Sequence, residues 1–238
     1  MKIWLINQYN SLPEHGHFTR NFYLAKHLKA MGHEPVVLAG SSPHNSETQL
    51  INGNVTSAVD DSYGFPYIYV KTGIYGHNKK KQVLEMFRFY WNTKRTVKSL
   101  PCPDVIVGSS MHPLAALLAI RLAKKYLCKG VVEIRDLWPE SMFAYGLLTE
   151  RGVVGKLMYA FEKYLYTRAH AIIFTMEGAR DYLLGRGLDM EHGGSVDMKK
   201  VFYVNNGVDL TAFDQSAEAF PSFDPDLHDS STFKVVYT

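Results

Sequence analysis

Long apolar runs and cysteines are both scarce in this sequence. No stretch of about 18 apolar residues occurs, so nothing in it predicts a membrane-spanning helix. The chain opens on a short apolar stretch, Ile3–Ile6, preceded by Lys2 and lacking a small-residue cleavage site, which is unlike a secretory signal. Cys102 and Cys128 are too few for a disulfide framework. These absences predict a cytoplasmic protein with two free thiols.

The sequence also lacks the short motifs of cofactor-binding and metal-binding domains. It has no internal repeat, no G-x-G-x-x-G fingerprint and no P-loop. His15 and His17 stand two residues apart, but spacing places no third metal ligand with them. We therefore predict neither a cofactor nor a metal site. With 238 residues, 46% of them hydrophobic, the chain can build one large α/β domain, or one domain and a fragment.

What the sequence does contain is a regular alternation of strand and helix patterns. Apolar residues at helical spacing from Phe18 to Leu28 separate a strand at Lys2–Ile6 from one at Pro35–Ala39. The further strands predicted are Tyr67–Val70, Asp104–Val107, Val131–Ile134, Ala171–Phe174 and Val201–Val204, and the further helices are Leu114–Leu127, Val153–Arg168 and Glu177–Leu184. This alternation predicts an α/β fold with a doubly wound parallel sheet.

Two segments interrupt the alternation. Gly40–Tyr63 is polar and rich in turn residues, and its Asn52-Gly53 pair is a hairpin signal. Asp214–Ser231 has the composition of a linker, and Phe233–Tyr237 then has the pattern of a buried strand with no neighbours downstream. We therefore expect a truncated chain, with a domain over 1–213, a linker over 214–232 and the first strand of another domain over 233–238.

Positive charge is concentrated on one segment. The net charge is +3, but Lys79–Lys98 holds seven basic residues and one acidic residue, which gives 7 − 1 = +6. Val83, Phe87, Tyr90 and Val97 share one helical face there. Such a helix favours an anionic membrane surface; packing of that face on the sheet, with a solvated basic side, remains open as well. Nucleic-acid binding is not favoured, because no recognised motif accompanies the charge. The residues predicted to face the membrane are Lys79, Lys80, Lys81, Arg88, Lys94 and Arg95.

Candidate binding residues follow from the rule that ligands of such sheets bind at the carboxyl ends of the strands. After the first strand, Gly16 allows close approach of the backbone and His17 stands beside it, although both also suit a plain turn. After the Asp104–Val107 strand, His112 is placed to contact substrate or simply to cap the following helix. Asn206, in the run Asn206-Gly207-Val208-Asp209, lies in a tight turn after Val201–Val204.

A dense charge cluster follows the Val131–Ile134 strand. Arg135 is suited to hold a phosphate or carboxylate, and Asp136 to accept a hydrogen bond from a sugar hydroxyl or to act as a base. Glu140 lies close behind them. The alternative is an ion pair of Arg135 with Asp136 or Glu140 that braces the loop.

Taken together, these segments resemble the N-terminal domain of the family 4 glycosyltransferases, retaining enzymes of GT-B fold. Residues 135–141, Arg-Asp-Leu-Trp-Pro-Glu-Ser, look like the subgroup that transfers amino sugars in bacterial surface polysaccharide synthesis. Asn206-Gly207-Val208-Asp209 resembles the family's turn into the second domain, and Glu177–Leu183 is similar in position and type. Two positions depart from the pattern: Arg135-Asp136 stands where many members have His, and Gly16 stands where many have a double glycine.

The resemblance implies transfer of a sugar, with retention, from a nucleotide-diphosphate donor to a sugar or polyprenyl-linked acceptor. It implies that this half binds mainly the acceptor and that a second half binds the nucleotide. Asp136 and His112 are then the candidates for positioning the acceptor hydroxyl, and Gly16, His17, Arg135, Glu140 and Asn206 the candidates for binding substrate. The alternatives are a nucleotide-sugar epimerase of the same fold and a non-catalytic sugar- or lipid-binding module.

Overall fold

The computed structural model of the protein describes residues 1–16, 18–146, 148–219 and 231–235. Within these residues, an eight-stranded sheet forms the centre of a compact unit that spans Met1–Asn206. Its strands are β1 (Lys2–Ile6), β2 (Glu34–Gly40), β3 (Ser57–Asp60), β4 (Tyr67–Val70), β5 (Val105–Ser110), β6 (Lys129–Ile134), β7 (Ala171–Phe174) and β8 (Val201–Tyr203). Its helices are α1 (Arg20–Ala30), α2 (Lys79–Thr96), α3 (Pro113–Tyr126), α4 (Glu140–Ala144), α5 (Val153–Arg168) and α6 (Ala179–Gly185), with 3₁₀ turns at Val97–Ser99, Met190–His192 and Met198–Lys200.

The strands lie in the order β3-β4-β2-β1-β5-β6-β7-β8, and every pair is parallel except β3–β4. The chain therefore adds β2, β3 and β4 on one side of β1, and then crosses back to add β5 to β8 on the other side of β1. The reversal between β1 and β5 is the topological switch point, where a crevice opens at the carboxyl ends of the strands. We call this end of the sheet the carboxyl edge.

Both faces of the sheet are covered, because successive side chains of each strand point to opposite sides. Trp4 and Ile6 of β1 pack into the larger cluster, together with residues of α2, α3 and α5. Ile3 and Leu5 pack on the other face with Phe22 of α1. Parallel sheets need this two-sided cover. The predicted doubly wound α/β fold is confirmed.

The close fit of α3 on the sheet depends on Gly108 of β5. A Cβ atom at Gly108 would lie 2.6 Å from the Ala115 carbonyl oxygen and 2.7 Å from the Ala119 Cβ. Helix α3 is apolar on nearly every side, and its residues from Ala115 to Ile120 are all buried, as its sequence predicts. This packing brings the amino end of α3 directly over the carboxyl edge.

The hairpin predicted at Asn52-Gly53 is wrong, and one strand was not predicted. The prediction had no strand at β3, whose polar Ser57 and Asp60 give no apolar pattern, and which pairs at the outer edge of the sheet. The β3–β4 turn contains Gly64 (φ +77°), whereas Asn52-Gly53 forms an isolated turn with Gly53 at φ +72°. In α2, the buried side chains are Glu85, Phe89, Tyr90, Thr93 and Thr96. Of the four residues predicted to share one face, Tyr90 and Val97 are buried, whereas Val83 and Phe87 are about half exposed, so the packing alternative holds for only part of that face.

The second unit begins at Gly207 and contains α7 (Leu210–Ala219). Asp209 caps this helix, as its turn predicts: its Oδ1 accepts from the Ala212 N–H at 3.2 Å. The linker predicted over 214–232 therefore starts inside a helix, because Phe213 to Ala219 continue the helical pattern begun at Leu210. Of the predicted strand at 233–238, Phe233–Val235 are not in a strand, and 236–238 lie outside the described residues.

Candidate functional site at the carboxyl edge

Buried polar side chains gather at the carboxyl edge, although the rest of the sheet is packed with apolar residues. They come from the ends of several strands and from the first turn of α1. The residues are Asn7, Gln8, Asn10, Ser11, Asn21, Ser41, Ser42, Thr72, Ser109, Ser110, His112, Glu133 and Thr175. Burying a polar group costs free energy unless it is hydrogen-bonded, so such a concentration needs a reason.

Many of these side chains hold atoms that no described residue satisfies. The unpartnered atoms include Asn7 Nδ2, Gln8 Oε1, Ser11 Oγ, Asn21 Oδ1, Ser42 Oγ and both ring nitrogens of His112. Buried polar atoms without a partner are few in folded proteins and each calls for an explanation. Their clustering makes the layer beneath the switch point polar, at the end of the sheet where ligands of such folds bind.

An ion pair between Arg20 and Glu133 organises the centre of this edge. Arg20 Nε donates to Glu133 Oε1 at 2.8 Å, and the two side chains are only 9% and 2% exposed. Ser109 Oγ donates to the other carboxylate oxygen, Oε2, at 2.5 Å. The pair thus links the start of α1 to the ends of β5 and β6.

The same arginine also holds the segment that follows β8. Its Nη1 donates to the Asn205 carbonyl at 2.7 Å and to Asn206 Oδ1 at 3.2 Å, and its Nη2 donates to the Val204 carbonyl at 2.9 Å. The predicted site residue Asn206 is therefore at the carboxyl edge, exposed, with its side-chain oxygen bound to Arg20. Together these contacts use all three guanidinium nitrogens, so Arg20 positions the edge and has little capacity left for a ligand.

Arg135 lies beside this ion pair and has the free capacity that Arg20 lacks. Within the described residues it forms no ion pair, and its Nη1 is buried without a hydrogen-bond partner. Burial lowers the pKa of the guanidinium, Arg20 lowers it further, and Glu133 acts in the opposite direction. An anion bound at Arg135 would offset both unfavourable effects. Neither predicted bracing ion pair, to Asp136 or to Glu140, is formed.

Asp136 is exposed, next to Arg135. Partial desolvation by the surrounding protein raises the pKa of its carboxyl group above the usual range, and the Arg135 charge opposes this shift. A raised pKa makes the carboxylate a somewhat stronger base. The contact of Asp136 with a substrate hydroxyl stays a prediction, with which its exposure is compatible.

His112 does not have the accessibility that its predicted role needs. Its side chain is 1% exposed, and its ring packs edge-on against Tyr9 and Phe89, with centroids 5.5 Å and 6.4 Å away. Burial lowers its pKa to about 3, so the imidazole is neutral. It precedes α3 but makes no side-chain cap hydrogen bond, so the capping alternative fails as well. As described, His112 reaches no acceptor hydroxyl; its two unpartnered nitrogens lie beneath the edge.

An aromatic cluster covers His112 near the amino end of α2. Tyr9 lies between His112 and His44, with the His44 ring 4.9 Å away, and its hydroxyl accepts from Gln82 Nε2 at 3.2 Å. Phe18 packs edge-on against His44, whose Nδ1 is 2.8 Å from the Tyr75 hydroxyl. Burial is the main cause of the lowered pKa of His44, with Lys79 second.

The remaining predicted residues have mainly structural contacts. A Cβ atom at Gly16 would lie 2.9 Å from Ser11 Oγ, so a close turn alone explains that glycine. His17 lies outside the described residues. Glu140 accepts from the Tyr159 hydroxyl at 2.8 Å, which ties the start of α4 to α5. Within the described ranges, no three His, Cys, Asp or Glu side chains are grouped to hold a metal ion.

The basic residues of α2 are on the surface. Lys79, Lys80, Lys81, Arg88 and Arg95 are exposed, whereas Lys94 is partly buried with its Nζ 4.9 Å from the centre of the Trp91 ring. Arg88 forms a 2.9 Å ion pair with the buried Glu85. No helix in the described part of the chain has the length and apolarity to cross a membrane.

The sequence analysis did not predict the pairing of Arg20 with Glu133, although two features of the sequence indicate that each needs a partner of opposite charge. Arg20 opens a helix, where a positive charge opposes the helix dipole and so needs a compensating partner. Glu133 stands in the apolar run Val131–Ile134, where a buried carboxylate also needs one. Nothing in the spacing, however, shows that residues 113 positions apart meet.

The fold is that of a GT-B glycosyltransferase domain. The family model described as "Glycosyl transferase 4-like domain" matches residues 16–193, well over half of the chain. The chain therefore belongs to the glycosyl transferase 4-like family. No curated protein matches the chain significantly.

Two solved structures illustrate the fold. The Anabaena protein HepE, in complex with UDP-glucose, superposes with a TM-score of 0.50 at 13% identity, covering 92% of this chain and 48% of its own. The catalytic domain of Arabidopsis thaliana starch synthase IV, bound to ADP and acarbose, gives a TM-score of 0.50 at 12% identity, covering 94% and 54%. At such identities the likeness concerns the fold. The chain spans about half the length of each of these structures.

Proposed function

We propose that this domain is the acceptor side of a two-domain glycosyltransferase. The enzyme transfers a sugar, with retention, from a nucleotide-diphosphate donor to a sugar or polyprenyl-linked acceptor in bacterial surface polysaccharide synthesis. The observation that carries the proposal is Arg135, a partly buried guanidinium at the carboxyl edge whose Nη1 has no hydrogen-bond partner among the described residues. Family membership supports glycosyl transfer, and the UDP-glucose and ADP bound by the two structural neighbours support a nucleotide-sugar donor.

In the proposed glycosyl transfer, the residues at the carboxyl edge have different roles. Departure of a nucleoside diphosphate builds negative charge, which a fixed guanidinium such as Arg135 stabilises. The acceptor hydroxyl chiefly needs correct placement, which Asp136 provides by accepting its hydrogen bond. Arg20 and Glu133 keep the ends of β5, β6 and β8 in register.

A transfer assay with separated substrates tests this function. The two-domain enzyme, which joins this domain to a nucleotide-binding domain, is incubated with UDP-glucose or UDP-N-acetylglucosamine, with and without a polyprenyl-diphosphate-linked sugar. We expect a glycosylated acceptor that retains the donor's anomeric configuration, formed only when acceptor is present. Residues 1–238 alone should give no product.

The other outcomes would contradict the proposal in distinct ways. Epimerised donor in the absence of acceptor would identify an epimerase. Binding of sugar without product in any arm would identify a non-catalytic module. Measurable transfer by residues 1–238 alone would show that no second domain is needed.

We further propose that α2 holds the enzyme on an anionic membrane surface, where a lipid-linked acceptor resides. Val83, Leu84, Phe87 and Trp91 are each 50–57% exposed and recur at the spacing of one helical face. Exposed lysines and arginines accompany them, and the segment Lys79–Lys98, which includes α2, carries a net charge of +6. The helix begins beside the aromatic cluster, because Gln82 reaches Tyr9. Apolar side chains surrounded by basic ones are typical of interfacial helices.

Charge reversal on α2 should weaken membrane binding. Each lysine near an anionic surface contributes about 1 kcal/mol, so Lys80→Glu with Lys81→Glu should weaken binding about 30-fold or more. The measurement is co-sedimentation with vesicles of phosphatidylcholine and phosphatidylglycerol. Lys124→Glu with Lys129→Glu is the control, since it changes two exposed lysines elsewhere by the same charge. An equal loss in the control, or binding indifferent to phosphatidylglycerol, would rule out this docking face.

A further inference from the structure

A small cavity adjoins the carboxyl edge at the ends of β5 and β6. Its volume is about 90 Å³, and Ser110 and Ile134 from those strands form part of its wall. The other walls are mostly apolar and come chiefly from the loop before α4 and from α5, including Trp138, Met158 and Leu165. The residues of the central ion pair are not among those that line it.

One carboxyl group, that of Glu162 in α5, lies in the wall of this cavity. Its side chain is buried, and the hydroxyls of Tyr166 and Tyr182 both donate to its Oε1, at 3.0 Å and 2.8 Å. Burial raises its pKa to about 7, opposed by the two tyrosine hydrogen bonds and by the Arg186 guanidinium, while the Glu140 carboxylate adds to the rise. Because both hydroxyls bind Oε1, Oε2 is the oxygen available to a ligand.

The dimensions and chemistry of the cavity restrict what it can hold. A cavity of 150 Å³ is known to accept benzene, and one water occupies about 30 Å³ of liquid, so 90 Å³ suits a group of about four heavy atoms. The apolar walls favour a methyl group, and the single carboxyl favours one polar partner. A charged ammonium group would be costly to bury there, and a lone hydroxyl would leave the apolar walls without contacts.

We propose that this cavity is a subsite for the acetamido group of an N-acetylated sugar, which makes the acceptor a 2-acetamido sugar. The methyl group packs against Trp138 and Leu165, and the protonated Oε2 of Glu162 donates a hydrogen bond to the acetamido carbonyl oxygen. This assignment rests on the proposed function only in naming the ligand as the acceptor. The binding itself is a property of residues 1–238.

Saturation-transfer NMR on residues 1–238 tests the subsite directly. The probes are N-acetylglucosamine, glucosamine and glucose at equal concentration. We expect saturation of the N-acetyl methyl protons to exceed that of the ring protons, and weaker binding of the other two sugars by about tenfold or more. Equal binding of glucose, or a methyl signal no stronger than the ring signals, would overturn the subsite.

A matched pair of substitutions on α5 locates the binding. Met158→Trp fills the cavity and should abolish the methyl signal. Leu157→Trp places the same side chain at the neighbouring position, which is 64% exposed, and should leave the signal intact. Loss in both variants, or in neither, would contradict the assignment. Circular dichroism confirms that each variant is folded.

The role of Glu162 is tested by the pH dependence of binding. Only the protonated acid donates, so binding of N-acetylglucosamine should weaken about tenfold between pH 6 and pH 8. Glu162→Gln keeps a donor and should bind at both pH values alike, whereas Glu162→Leu should lose binding. A glutamine variant that retains the wild-type pH dependence would exclude Glu162. If methyl binding is present but the two-domain enzyme transfers nothing, the proposed function fails while the subsite stands.

Discussion

Replacing Arg20 with alanine is expected to lower the free energy of unfolding of residues 1–238 by about 3–5 kcal/mol. The substitution leaves the carboxylate of Glu133 buried, 2% exposed, with Ser109 as its remaining partner. It also removes the hydrogen bonds that hold Val204, Asn205 and Asn206. Since domains are stable by about 5–15 kcal/mol, this is a large fraction of the total. Urea denaturation followed by circular dichroism measures it.

Two further variants separate the buried ion pair from a general effect of losing an arginine. Arg151→Ala, at an exposed position, should change stability by less than about 0.5 kcal/mol. Arg20→Met combined with Glu133→Leu removes both charges and should be less destabilising than Arg20→Ala alone. A double variant that is as unstable as the sum of its single changes would show that the pair is not coupled.

Replacing Arg135 with alanine is expected to lower kcat/KM of the two-domain enzyme by about 10²–10³, the effect of losing one fixed donor to developing charge. Its buried Nη1 has no partner in the described structure, so the proposed function gives this hydrogen bond to the substrate. Stability should be about unchanged, because relief of the burial cost of the guanidinium offsets the lost attraction of Glu133. This combination of lost turnover and retained stability distinguishes a ligand-binding arginine from a structural one.

The conservative variant sharpens this test. Arg135→Lys keeps the charge but lacks the planar fork of donors, so it should recover only part of the lost activity. Steady-state kinetics on the wild type and both variants, with Arg151→Ala as the control, provide the comparison. A loss confined to KM would assign Arg135 to ground-state binding. Unchanged kcat/KM in Arg135→Ala would remove it from the site.

The strands that could be predicted from the sequence are those buried on both faces. β1, β2 and β4 have continuous apolar runs, and their bounds agree with the prediction to within a residue. β3 could not be found in this way, because an outer strand with a solvated face needs few apolar residues. In α2, apolar residues occur on most sides, so helical spacing could not decide which of them pack on the sheet.

The candidate site was predictable in position more than in detail. Arg135, Asp136 and Asn206 lie at the carboxyl edge, because the strand-end rule depends only on where the strands stop. The burial of His112 depends on Tyr9 and Phe89, which come from distant segments, so no local pattern could show it. The same holds for the contact between Arg20 and Glu133. The cavity beside Glu162 was not anticipated, because its walls come from segments that are far apart in the sequence.

The central claim is that a substrate sugar binds at the carboxyl edge of this sheet. Amide chemical-shift mapping on isotope-labelled residues 1–238, titrated with N-acetylglucosamine, tests it most directly. The account predicts shifts concentrated after β1, β5 and β6, at residues 7–11, 108–112 and 134–136, with little change at the opposite edge around Gly32 and Cys128. Shifts confined to that opposite edge, or no saturable shift at residues 134–136, would contradict it.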